Sequence, residues 1–174
     1  MTRGYFAIGV EGVSKEQNLG NLVRSAHAFG ASWFFTVNPD IKMREVLRTD
    51  TAESYKHMPF YVYDDPEQMQ LPHGCQLVGI EFLDDAPYLP AFRHPQMAAY
   101  VLGPEMGSLS DEMLARCNYT VKIPTEFCIN MGTAGAIVMY DRMRASGRYP
   151  ERPVRPGGPA PGNDPLARQG RSGL

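Results

Sequence analysis

Three short stretches that could carry chemistry set polar side chains among glycines. They are NLGNLVR with Asn18, Gly20 and Arg24; VLGPEMGSLS (101–110) with Gly103 and Glu105; and IPTEFCINMG (123–132) with Ile123, Cys128, Asn130 and Met131. Taken singly, each stretch also has a plain structural account: Gly103-Pro104 as a turn, Glu105 as a surface acid, Asn130 as a helix N-cap. Around Arg24 the pattern is sharper. Leu19, Leu22, Val23, Ala26 and Phe29 fall on one stripe at helical spacing. Arg24 lies nearly opposite it, between the small residues Gly20 and Ala28, with open space around it: it is either a solvated surface charge or a group that something approaches closely.

These stretches need a frame to bring them together. YFAIGV (5–10), WFFTV (33–37), PFYVY (59–63), LVGIEF (77–82), AAYVLG (98–103) and YTVKIP (119–124) read as strands, several of them continuous apolar runs of the kind buried in parallel sheets. Helices are expected over 18–31, 65–70, 110–116 (opening at Ser110, with Asp111 and Glu112 in its first turn) and 131–145. The alternation predicts an α/β fold with a mostly parallel sheet and flanking helices. In such folds ligands sit beyond the carboxyl ends of the strands, where all three stretches fall. The last helix is apolar nearly all round between Ala134 and Tyr140, so either a central core position or a subunit interface must cover it.

The chain has 174 residues, 43% of them hydrophobic and 21% charged, which suits one soluble domain with a real core. Residues 1–146 form that domain. Residues 147–174, GRYPERPVRPGGPAPGNDPLARQGRSGL, are Pro-, Gly- and Arg-rich and read as a flexible tail, inert or an auxiliary contact for RNA or a partner. The domain carries 12 Lys and Arg against 17 Asp and Glu, the tail 5 against 2. Bulk charge thus gives no support to nucleic-acid binding, and a polyanion would need a local patch or the tail. With Arg24, the local cations are Lys42, Arg44, Arg48 and Lys56, which form either a phosphate-binding edge, diluted by Glu45, or a solvated amphipathic turn; Tyr55 and Phe127 are candidates for base stacking. Cys75, Cys117 and Cys128 form no CxxC pair and no metal-like cluster with the four histidines, so no metal is expected and a reducing, cytoplasmic setting is. The N-terminus reads as a first strand rather than a signal peptide, and no apolar run reaches membrane-spanning length. GxGxxG, P-loop, HExxH and GxSxG motifs are all absent from the sequence.

In order, the three stretches resemble the motifs of the SpoU/TrmH-type branch of the SPOUT superfamily of RNA methyltransferases: Asn-x-Gly-x-x-x-Arg, Gly-x-Glu after an apolar strand, and Ile-Pro followed by a loop and an Asn that opens an apolar helix. The segment TDTAESYKHMPFYVYDD (49–65) also looks like the family's stretch between second and third strands, and the resemblance spans about residues 5–145. It implies a C-terminal deep trefoil knot, which no periodicity could suggest. It further implies S-adenosylmethionine as cofactor, a homodimer whose partner covers the apolar last helix, and ribose 2′-O-methylation of tRNA or rRNA. Residue by residue, Arg24 matches the catalytic arginine, and Asn18, Glu105 and Asn130 match the polar residues around it. Gly103, Ile123, Cys128 and Met131 match the cofactor pocket, as does the strand end at Glu81. On this match the gap beside Arg24 would admit a ribose-phosphate or a second subunit. The short chain leaves no room for an RNA-binding domain ahead of the first strand, which favours tRNA. Two positions depart from the pattern. Cys128 replaces a serine, and the second glycine of the middle motif comes at Gly107, with Ser108 in its place. They motivate an alternative expectation, a knotted RNA-binding protein that has lost catalysis.

Overall fold

A computed structural model of the chain describes residues 4–41, 57–147 and 149. Six strands, β1 (Tyr5–Glu11), β2 (Trp33–Val37), β3 (Phe60–Tyr63), β4 (Gln76–Ile80), β5 (Met97–Leu102) and β6 (Tyr119–Val121), form one sheet in the order β3-β2-β1-β5-β4-β6. Every neighbouring pair is parallel. The α-helices are α1 (Glu16–Ala28), α2 (Asp111–Arg116) and α3 (Met131–Ser146).

Strand alternation divides the core between the two faces of the sheet. Ile8, Val10, Phe34, Tyr100 and Leu102 point to the side covered by α1 and α3, with Leu19, Leu22, Val23, Ala26, Val138 and Met139. Ala7, Phe35, Val37, Leu77, Ala99 and Val101 point the other way, against Leu109 and Met113 at the start of α2. Both faces of the inner strands are thereby dry, as a parallel sheet requires. Helix α1 buries four of its five stripe residues, Leu19, Leu22, Val23 and Ala26, while Phe29 is half-buried.

Helix α3 is neither wrapped on all sides nor free. Met131, Ala134, Gly135, Val138, Met139 and Arg142 form its buried face, while Ile137 and Tyr140 (48% exposed) stand on the other. It packs on α1 at close range, because a Cβ built on Gly135 would overlap Leu22 Cδ1. At its far end Arg142, only 6% exposed, donates to the carbonyls of Tyr5 (3.0 Å), Pro95 (2.6 Å) and Gln96 (2.9 Å) and to Tyr100 Oη (3.1 Å), and lies over the Phe6 ring. Burial holds His94 below the usual histidine range despite its bond to Asp141. In the neutral ring Nδ1 accepts a hydrogen bond from the Tyr100 hydroxyl (2.6 Å) and Nε2–H donates to Asp141 (2.9 Å).

The expected helix over 65–70 is instead a turn. Asp65 accepts the Gln68 N–H (2.8 Å), Met69 N–H reaches only back to Pro66, and Leu71-Pro72 disfavours continuation beyond one turn. Strand β4 ends at Ile80 rather than Phe82, because the Glu81 carboxylate takes the Phe82 N–H (2.9 Å). Strand β6 is likewise shorter than 119–124: its chain leaves β4 at Lys122 to pair in parallel with Tyr88. The tail from 150 onward lies outside the described residues. Among the described residues no helix is long and apolar enough to cross a membrane.

Because Gly135 admits Leu22 with no room to spare, Gly135→Val should cost about 1–3 kcal/mol through overpacking. The same change at half-buried Ala136 should cost under about 1 kcal/mol, mostly from helix propensity. Urea denaturation of both variants checks the difference.

Candidate functional site

The carboxyl ends of β4 and β5, the chain after β6 and the first turns of α1 and α3 surround one cleft of about 330 Å³. That volume falls within the range of about 300–1,000 Å³ usual for small-molecule sites. Asn18, Glu81, Gly103, Glu105, Ile123, Cys128, Asn130 and Met131 all line it. Eight of the nine catalytic and cofactor positions read from the sequence therefore meet in one place, although they come from four separate segments.

A hydrogen-bonded chain links three residues that line the cleft. Glu105 Oε2 accepts from the N–H and hydroxyl of Ser14 (3.1 and 3.0 Å), and Oε1 accepts from the Lys15 N–H and from Asn18 Nδ2 (both 3.1 Å). Asn18 Oδ1 in turn accepts from Asn130 Nδ2 (3.0 Å). Asn130 Oδ1 then accepts the N–H groups of Gly132 (2.9 Å) and Thr133 (3.3 Å), capping α3. Helix α1 has no side-chain cap of its own at Lys15, and Glu105 reaches across to do that service for the residues leading into it. Burial raises the Glu105 pKa, but the bonds from the backbone, Asn18 and Ser14 outweigh it and hold the carboxyl below its ordinary range.

The loop from Gly103 to Leu109 floors the cleft through Gly103, Pro104, Glu105 and Gly107. It doubles back on itself, since a Cβ on Gly103 would meet Leu109 N at 3.1 Å and the Ser108 carbonyl carbon at 3.2 Å. The early glycine has a local reason: Gly107 adopts φ +139, a conformation open to glycine, and lets Ser108 close on Gly103. At the other departure, the Cys128 thiol is free and exposed, on the wall of the cleft.

The SpoU rRNA Methylase family model matches residues 5–140 of this chain. The chain belongs to that family. No curated protein sequence matches this SpoU-family chain. Solved structures share its fold. An rRNA methyltransferase from Sinorhizobium meliloti superposes with a TM-score of 0.73 at 21% identity, over 82% of this chain and 56% of that one. The SpoU methyltransferase AviRb from Streptomyces viridochromogenes, solved in complex with AdoMet, gives 0.71 at 23%, over 84% and 63%. A structure concerned with 2-OH methylation of C/U34 on tRNA gives 0.70 at 22%, over 83% and 97%. The SpoU-family chain thus spans about three-fifths of the first two relatives and nearly all of the third.

Arg24 stands apart. It is exposed on α1 and does not line the cleft of its own chain. It lies six residues beyond Asn18, about 9 Å along the helix axis. The open gap expected on both sides of it is half closed. Gly20 is buried, because α3 begins over this part of α1: a Cβ on Gly132 would lie 3.5 Å from Asn21 Cβ and 3.8 Å from Asn18 O. Only the Ala28 side is exposed. Lys42, Arg44, Arg48 and Lys56 fall outside the described residues, as does Tyr55, whereas Phe127 is 73% exposed beside the cleft. Among the described residues no group of three or more His, Cys, Asp or Glu could hold a metal ion.

Sequence reasoning missed Lys15, Lys122 and Thr125 on the cleft wall. Lys122 Nζ donates to the carbonyls of Leu83 and Asp84 (both 2.8 Å) and lies 5.0 Å from the Tyr88 ring centre, so it ties the loop after β4 to β6. A lysine just past a short strand carries no sequence signal for that contact.

A depressed carboxylate stabilises the fold above its unfolded pKa, and that contribution disappears as pH falls through the folded value. The stability gap between wild type and Glu105→Gln should accordingly be full at pH 7 and shrink below the ordinary value of 4.5. Denaturation curves across that range measure it; a gap independent of pH would mean that the carboxylate charge contributes nothing.

Proposed function

We propose that this SpoU-family chain is an S-adenosylmethionine-dependent RNA ribose 2′-O-methyltransferase, acting on tRNA as a cytoplasmic homodimer. The observation that carries the reading is the Glu105–Asn18–Asn130 chain lining a cleft of cofactor size. The backbone around Gly103 and Ile123, with Cys128, Met131 and Glu81, would hold the cofactor. That mixture of main-chain polar groups and apolar side chains fits a nucleoside bearing an amino-acid arm. In this reading the segment after β6 is threaded as a trefoil knot, supported by its passage alongside the loop after β4. There Lys122 N–H donates to Pro87 O (3.0 Å) and Leu89 N–H to Lys122 O (2.8 Å).

When bound, the cofactor supplies a methyl group already activated by its sulfonium. The protein then has to place the ribose 2′-oxygen in line with that methyl and stabilise charge on the oxygen as its proton leaves. Arg24 is the residue for this: permanently cationic, it can hold a phosphate and the developing alkoxide together. Its exposure outside its own cleft supports delivery to a partner's cleft. Exposed Ile137 and Tyr140 on α3 offer an apolar surface for such a partner. Likeness in fold to the structure concerned with 2-OH methylation of C/U34 on tRNA supports tRNA as a substrate.

Methyl transfer from labelled S-adenosylmethionine to tRNA, followed by digestion to nucleosides, tests the reading; label on a base atom rather than the 2′-oxygen would overturn the chemistry. Arg24→Ala should lower transfer about 10²-fold or more, with cofactor affinity measured by calorimetry nearly unchanged. Gly103→Val should abolish cofactor binding, because the added side chain forces the backbone of Ser108 and Leu109 away from Gly103 and distorts the loop that lines the cleft.

A further inference from the structure

Glu11 lies outside every motif described above, yet it is 6% exposed at the end of β1. Its Oε2 accepts the Ser110 N–H (2.9 Å) and its Oε1 the Ser110 hydroxyl (2.6 Å), whose oxygen accepts the Met113 N–H (3.1 Å) and caps α2. Glu81 makes the matching contact from the other side, accepting the Leu109 N–H at 2.7 Å. The sheet register gives this pairing its symmetry. Val10 and Ile80 both pair with Leu102, so Glu11 and Glu81 sit one residue further on, on the strands flanking β5. Two carboxylates in equivalent positions thus hold consecutive backbone N–H groups at the far end of the loop that begins at Gly103.

From this we infer that Glu11 is a positioning residue for the cofactor, acting through Ser110 on the loop that floors the cleft. The loop's near end is fixed by β5 and its middle by Glu105, whereas its return against Gly103 depends on the two anchors at Leu109 and Ser110. Without Glu11 the Ser110 N–H loses its partner, and the closed path of residues 103–109 becomes one of several. Ordering that loop would then fall to the incoming ligand, which weakens binding. Glu11 lines no part of the cleft and touches no reacting atom, so the bound complex, once formed, should react at the usual rate.

The inference rests on the proposed cofactor, and the experiment separates the two. Binding of S-adenosylmethionine to the full chain is measured by calorimetry for wild type, Glu11→Ala, Glu11→Gln, Ser110→Ala and Phe34→Leu, the last a buried change on β2 that lowers stability away from the site. Glu11→Ala should raise Kd about tenfold, the equivalent of one charge-assisted hydrogen bond, with kcat at saturating cofactor within about twofold. Glu11→Gln, which can still accept the Ser110 N–H, should recover most of the affinity. Amide exchange at Leu109 and Ser110 should quicken in Glu11→Ala and not in Phe34→Leu. Should Glu11→Ala fail to fold, Ser110→Ala serves in its place, removing the hydroxyl contact and raising Kd in the same direction. Unchanged Kd in the Glu11 or Ser110 variants, or an equal rise in Phe34→Leu, overturns the inference. A wild-type chain that binds no cofactor overturns the proposed function itself.

Discussion

The loop leaving β5 governs this molecule, and carboxylates govern the loop. A parallel sheet delivers its strand ends to one edge but leaves the connections there without ladder partners, so their backbone N–H groups need acceptors from elsewhere. Three glutamates supply them. Glu11 and Glu81 reach in from the neighbouring strands, and Glu105 reaches out from the loop to the residues that open α1. The exchange is reciprocal between β1 and β5: one strand end gives an acid to the other's loop and receives one in return. Gly12, at φ +65, makes this possible by turning the chain under Pro104, whose Cβ would lie 3.5 Å from a Cβ built there.

The polar chain lining the cleft inherits its geometry from that exchange. Asn18 can bridge Glu105 and Asn130 only because α1 begins where Glu105 holds it, and Asn130 can answer only because it caps α3 at the same edge. Asn130 is an ordinary N-cap and a member of the site at once. The two readings describe the two ends of one carboxamide: its oxygen serves the helix and its nitrogen the neighbour.

Much of this was legible in the sequence, and the residues show why. Asn18, Gly103, Glu105, Ile123 and Asn130 sit at strand and helix ends, where glycine, proline and capping residues leave strong local signals, and the family resemblance put them in one site. Contacts between segments distant in the chain leave no such signal. Glu11 reads as a solvated acid after an apolar strand, although its partner is 99 residues away. Arg142 reads as part of a charged helix end, although it is sunk among carbonyls from two strands' approaches. Residues 65–70 have a helical composition, but the proline beyond them sets a limit that a local count underrates. The apolar circumference of α3 was visible, while its division into a buried and an exposed face depends on where the sheet and α1 lie.

Arg142 has a consequence beyond its own environment. Helix α3 is fastened at one end by Asn130 to the cleft and at the other by Arg142 to the amino-terminal edge of the same sheet. It therefore spans the domain like a tie-rod, clamped at opposite edges of the sheet it crosses. Such a member resists peeling past its last turn, because unwinding through Arg142 must strip a buried cation from three carbonyls. Slack does not accumulate at the cleft end either, since the length between the clamps is set by a regular helix. The site's precision on one edge of the sheet is in this sense secured from the opposite edge.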